Sequence, residues 1–317
     1  MSPTRSHPHL ARIFSSNPDF QVTNAFAFGD GHVVACIEVT DEDDWDLEAS
    51  AVLRVRLDAA TPWEILHVAH RQALNYYATS PDDHWLLLRG ETLVRLRGSE
   101  RAELDVPSGP LLTGLRPIAP GAMAVFGEQG ACYRCEGGSW THIPVATDRR
   151  IMEMWFDGPD RAYAVAQDGV VLTGTADGLH TPLVPPDALG RAHVLAVHAS
   201  DGVVRLGGLA GGLRLEGGAV VRLEIPDDLA IGTVSAFRGV EYWGAPDFGV
   251  LTRAGHRLAK THATGSVMTI QSTPAAMTLT AGHFVYVFDG ATWTELQFRA
   301  SPDDLVARIP LDFAPPA

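Results

Sequence analysis

Apolar positions in this chain fall into short runs, and nearly every run ends at a turn signal. The clearest stretch starts at Met152–Phe156 and turns at Asp157-Gly158-Pro159-Asp160. Arg161–Ala166, Val170–Thr175 and Leu179–Val184 follow, separated by Gln167-Asp168-Gly169 and Ala176-Asp177-Gly178. Gly supplies the positive φ of tight turns, and Asp-Gly pairs favour hairpins, so this pattern predicts four antiparallel strands. The same grammar recurs from Val194 to Ile225, with Ser200-Asp201-Gly202 and Gly217-Gly218 as turns. Five more copies run Val22–Ala69, Ala73–Pro107, Leu112–Val145, Thr233–Ala263 and Ser266–Phe298. A self-similar unit of this length is the signature of a repeat architecture.

Patterning within the unit selects which one. Second strands are apolar on both faces: Trp85-Leu86-Leu87-Leu88, Ala122-Met123-Ala124-Val125-Phe126, Ala162-Tyr163-Ala164-Val165. Fourth strands alternate, as in Val221-Arg222-Leu223-Glu224-Ile225. A strand covered on both sides reads as a continuous apolar run, and a half-wet strand alternates. Sheets stacked face to face around an axis give that contrast. The expectation is an all-β chain, a single seven-bladed β-propeller of four-stranded antiparallel blades over residues 20–299. A two-sheet sandwich would use half the chain and leave the repeat unexplained. Residues 1–19 and 300–317 stand outside the units. Leu10–Phe14 and Leu305–Leu311 are short apolar segments there, each able to add a closing edge strand.

The endings Gly138-Ser139-Trp140-Thr141-His142-Ile143 and Gly290-Ala291-Thr292-Trp293-Thr294-Glu295-Leu296 are similar to the G-x-x-W-x-x-L endings of bacterial propeller repeats. Tyr163–Leu172 resembles their inner hairpin. The resemblance is to the broad superfamily of WD40-like, YCF48-like and BNR-like propellers, and it implies architecture only. No Gly-His…Trp-Asp pair recurs in register, and the Asp-box S-x-D-x-G-x-T-W is absent.

Composition agrees with a large soluble core: 46% hydrophobic and 20% charged residues, with mean hydropathy +0.03. Net charge is −14. No dense Lys/Arg run is present, which argues against nucleic acid and anionic membranes as partners. An acidic field steers in a basic protein. Lys260 is the lone lysine, and asparagine is confined to Asn17, Asn24 and Asn75, a bias that suggests a GC-rich bacterial source. Three cysteines, Cys36, Cys132 and Cys135, make no disulfide framework, and Cys132-x-x-Cys135 has no second pair to complete a zinc site. The polar stretch 1–10 has no apolar run behind it, so a cytoplasmic monomer is expected.

One turn stands apart. Asp41, Glu42, Asp43, Asp44, Trp45, Asp46, Leu47 and Glu48 place six carboxylates and a tryptophan where other units use a few residues. Insertions in repeat proteins collect on the binding face. An acidic loop around an aromatic anchor suits a basic protein partner. A calcium loop would need the D-x-[DN]-x-[DN]-G order, which is missing, and a plain solvated turn is the third reading. The expected function is therefore non-enzymatic protein binding at Asp41–Glu48. The special case is an immunity-type inhibitor of a basic toxin. The alternative is a hydrolase or lyase with a metal or His/Glu site in the central channel. It would draw on the 13 histidines, among them His67, His70, His193 and His262 near unit junctions. First strands, however, offer Asn24, Asn75, Thr113 and Thr233 rather than acids. No P-loop, Rossmann or G-x-S-x-G element occurs in context, so no cofactor is expected. Gly207–Gly212 sits between two strands and reads as a flexible hairpin.

Overall fold

The computed structural model describes the chain except residues 1–6, 15–17, 42–47, 58–62, 90, 185–192, 210, 226–228, 247, 263–265, 300–305 and 311–317. After one short helix, α1 (Pro8–Phe14), every long element is a strand. The first sheet holds β1 (Pro18–Ala27), β2 (His32–Asp41), β3 (Glu48–Arg56) and β4 (Trp63–Ala69). The second holds β5 (Ala73–Ser80), β6 (Asp83–Leu88), β7 (Thr92–Arg97) and β8 (Glu100–Asp105). The third holds β9 (Leu112–Ala119), β10 (Ala122–Gly127), β11 (Cys132–Glu136) and β12 (Ser139–His142). The fourth holds β13 (Ile151–Phe156), β14 (Ala162–Ala166), β15 (Val171–Thr175) and β16 (Gly178–Pro182). The fifth holds β17 (Val194–Ser200), β18 (Val203–Gly208), β19 (Gly211–Glu216) and β20 (Ala219–Arg222). The sixth holds β21 (Thr233–Phe237), β22 (Val240–Ala245), β23 (Gly249–Ala254) and β24 (Arg257–His262). The seventh holds β25 (Thr269–Ser272), β26 (Met277–Ala281), β27 (Phe284–Phe288) and β28 (Trp293–Phe298), with β29 (Val306–Pro310) as a fifth strand.

These seven antiparallel meanders are the blades of a β-propeller, as the turn grammar predicts. Burial follows the sequence contrast. Every residue of β10 is buried, whereas β8 and β12 are almost wholly exposed. Residues 1–89, 95–101 and 268–317 form one compact unit; residues 90–94 and 102–267 form another.

In the first unit, β1 packs beside β25 and β26, so the first and last sheets adjoin. Their seam is partly polar. Thr278 Oγ1 donates to the Ala25 carbonyl at 2.5 Å, and Thr273 Oγ1 to the Ala27 carbonyl at 2.7 Å. Thr269 Oγ1 reaches Asn24 Oδ1 at 3.3 Å and Thr280 Oγ1 at 2.8 Å. Asn24 Nδ2 donates on the other side to the Tyr76 carbonyl of β5, at 3.0 Å. A buried hydroxyl or amide must find such partners, and these bridge sheets rather than closing on their own strand.

Leu10–Phe14, expected as an edge strand, lies in α1. Leu10, Ile13 and Phe14 stand at i, i+3 and i+4, one face of a helix, and all three are buried on the core of β1, β2 and β3. Pro8 fits the first turn, where its missing N–H costs nothing. At the other end, β29 pairs antiparallel with β28, from Thr294↔Pro310 to Phe298↔Val306.

The second unit is joined differently. The chain leaving β12 pairs in parallel with β16, through Ala146 N–H to the Leu179 carbonyl at 2.9 Å and Leu179 N–H to the Pro144 carbonyl at 3.0 Å. Glu224 does the same with β24 through His256 and Leu258. The glycine run Gly207–Gly212 forms the β18–β19 hairpin, with Gly207 opposite Gly212 and Gly208 opposite Gly211, and it also permits close approach. A Cβ on Gly207 would meet Ile231 Cγ2 at 2.6 Å, and one on Gly208 the His193 carbonyl at 2.5 Å. Between the fifth and sixth sheets, buried Glu241 holds three guanidinium groups. Arg205 Nε and Arg214 Nε lie 3.0 and 2.9 Å from its Oε1, and Arg253 Nε 3.0 Å from its Oε2. Arg116 of β9 pairs likewise with Glu153 of β13.

Two stability outcomes follow. Glu241→Leu strands the buried Arg205 guanidinium and should lower the unfolding free energy by about 3 kcal/mol, because a broken buried pair leaves an uncompensated charge. Urea denaturation reads it, and a change within error would show that Glu241 is dispensable. Phe14→Ala should cost about 3 kcal/mol through lost burial and the cavity left. An unchanged midpoint would show that α1 does not hold the first unit.

Candidate functional site

The acidic turn joins β2 to β3, two of the most buried strands of the first unit. Glu42, Asp43, Asp44, Trp45, Asp46 and Leu47 lie outside the described residues. Asp41 and Glu48, the ends of the turn, are described. Asp41 closes β2 at 4% exposure, opposite Pro18. Glu48 opens β3 opposite Thr40, and Arg89 Nη1 stands 3.4 Å from its carboxylate.

Other groups fix this base. His9 of α1 places Nε2 3.1 Å from the Glu48 carbonyl. Its ring stacks on His70, with centroids 4.1 Å apart and planes 18° apart. Burial, helped by the neighbouring His9, holds His70 below the ordinary imidazole value. Two positions down the ladder from Glu48, Glu38 of β2 is 8% exposed and faces Ser50 across the register. Its Oε2 accepts from Gln21 Nε2 at 3.3 Å and Gln72 Nε2 at 3.2 Å. Burial pushes the Glu38 carboxyl up, against the two amide hydrogen bonds. Ser50 Oγ donates to the Arg71 carbonyl at 3.0 Å and accepts from Ala73 N–H at 2.7 Å. The turn therefore springs from a braced platform carrying Glu38, Asp41 and Glu48. Glu38, His9 and Arg89 are not marked as site residues by the sequence pattern, and His70, a junction histidine of the channel alternative, stands here at the base of the acidic turn. Glu38 had a visible signal: it is the lone charge in the apolar run Val33–Val39.

The channel alternative draws on histidines, and the polar residues of the first strands count against it. Asn24 is spent on the seam described above. His84, buried, uses both nitrogens, Nδ1 with Tyr76 Oη and Nε2 with the Pro81 carbonyl, each at 2.9 Å. His198 packs on Trp155 at 4.2 Å, and burial, with Arg205 and Arg116 nearby, pulls it down to about 3. It stays neutral at any physiological pH and carries no charge into chemistry. His193 Nδ1 accepts from Asp168 N–H at 3.2 Å. Among the described residues, no three His, Cys, Asp or Glu side chains group as a metal site. Cys36, Cys132 and Cys135 are buried free thiols, and burial drives Cys36 up to about 12. No helix among the described residues is long and apolar enough to cross a membrane.

No family model matches this chain. No curated protein matches it either. Solved structures do. The WD40 β-propeller domain of Doa1 is 11% identical with a TM-score of 0.61, over 87% of this chain and 96% of that one. Sqt1 of Saccharomyces cerevisiae is 11% identical with a TM-score of 0.61, over 93% and 100%. YCF48 bound to D1 peptide is 9% identical with a TM-score of 0.60, over 86% and 94%. At these identities the likeness is one of fold. It gives the chain a WD40-like, YCF48-like β-propeller architecture.

Proposed function

We propose that this chain is a non-enzymatic, protein-binding propeller whose partner is basic and docks at Asp41–Glu48, with Trp45 as the aromatic anchor. The observation that carries the reading is the six carboxylates gathered in one turn of a chain of net charge −14. Packing does not call for that turn, since the other blades are built without it. The half-buried Glu48 and the buried Asp41 add carboxylates at its base. Mutual repulsion among the carboxylates raises the free energy of the unbound turn, and a cationic surface relieves it. YCF48, a structural neighbour, holds a peptide, so this architecture is able to hold one. The special case we favour is an immunity-type inhibitor of a basic toxin, acting as a monomer in a bacterial cytoplasm. Three buried free thiols suit a reducing compartment.

Against a captured basic partner, Trp45→Ala should speed dissociation, costing about 2 kcal/mol as buried aromatic anchors do. Charge reversal at Asp43 and Asp44 should slow association and flatten its salt dependence. Melting temperature should stay the same in both variants. If Trp45→Ala unfolds the protein while the folded fraction binds normally, Trp45 is a core residue and the site lies elsewhere.

A further inference from the structure

A groove of about 450 Å³ runs along the outer edge of the third sheet, facing the β15–β16 turn of the fourth. It lies within the second unit and uses nothing of the acidic turn. Register explains its wall. Arg134 faces Thr141, and Glu136 faces Ser139, so these four alternate onto one side of β11 and β12. Asp177, at the tip of the opposing turn, completes the polar lining, and buried Ile143 gives the groove an apolar patch.

The hydrogen-bonding capacity there is largely unspent. Arg134 Nη2 donates to Glu136, while its Nη1 makes no hydrogen bond among the described residues. The Asp177 backbone N–H is held by Thr175 Oγ1 at 3.2 Å, which fixes the turn. Its carboxylate and the hydroxyls of Ser139 and Thr141 make no side-chain hydrogen bond or ion pair among the described residues. A fixed donor, an acid and two hydroxyls thus line one groove, over the buried floor residue Ile143, in a volume typical of small-ligand sites.

We propose that this groove binds a neutral, hydroxyl-rich ligand, a mono- or disaccharide. Sugar hydroxyls donate and accept at once, so they satisfy Asp177 and Arg134 together. An anion would meet two carboxylates of the lining, Asp177 and Glu136, in a chain of net charge −14. A cation would leave the Arg134 donors without an acceptor.

Saturation-transfer NMR with cellobiose and maltose as probes tests this on the full chain, beside Asp177→Ala and Ser139→Val. Both substitutions are at exposed positions and should leave the melting temperature unchanged. The expected result is saturation transfer from the wild type to one or both sugars, with affinity falling roughly tenfold in Asp177→Ala through loss of a charged hydrogen bond. A smaller fall in Ser139→Val would support the same pose. No transfer to either sugar at millimolar concentration overturns the proposal. Transfer that Asp177→Ala leaves intact overturns it too. So does preferential binding of arginine amide, which would mark the groove as a seat for a basic side chain.

Discussion

A hydroxyl buried between two sheets must find an acceptor, and Thr278 finds it in the Ala25 carbonyl, 253 residues away in sequence. That bond, with the Asn24, Thr269 and Thr280 group beside it, ties the first sheet to the last. Neither sheet could bury its inner strand without a neighbour on that side. Two-sided burial of β1 and β26 therefore depends on a contact between the ends of the chain, the most costly kind of contact in loop entropy. The polar bonds also set register. Apolar sheets slide with little penalty, but a displaced Thr278 would leave a buried hydroxyl and a carbonyl unpaired.

Elsewhere the sheets are joined by different means, each matched to local chemistry. Gly207 leaves room for the Ile231 side chain and Gly208 for the His193 backbone, where a Cβ would collide. Glu241 gathers three arginines where two sheets bring polar positions together. Such a cluster adds little net stability but penalises misalignment heavily, so it acts on specificity more than on strength. The acidic turn springs from two heavily buried strands. Its two strands are core strands, and His9, Ser50 and Gln72 brace its base, so charge is presented from a fixed platform.

Architecture was legible in the chain because it is written in local signals. Turn residues punctuate each strand, and apolar continuity separates inner from outer strands, so blade number and strand order could be counted. The α1 segment misled because Leu10-Ala11-Arg12-Ile13-Phe14 is too short to display its period; only the core beneath it chooses helix. The seam and the ion pairs were hidden for another reason. Arg116 and Glu153 lie 37 residues apart, and nothing local marks them as partners. The acidic turn was visible as composition, yet Glu38, His9 and Arg89 join it only through the fold. The groove was invisible as well, since Arg134, Ser139 and Asp177 are ordinary surface residues until register aligns them.

If the seam between first and last sheets holds the first unit together, it also fixes the platform under the acidic turn. Native-state hydrogen exchange at Ala25–Ala27 and Thr278–Thr280 tests it most directly. The account predicts that the hydrogen-bonded amides of both segments exchange together, only through global unfolding, and with the full unfolding free energy. Independent exchange of the two segments, or exchange as rapid as that of the exposed strand β8, would contradict it.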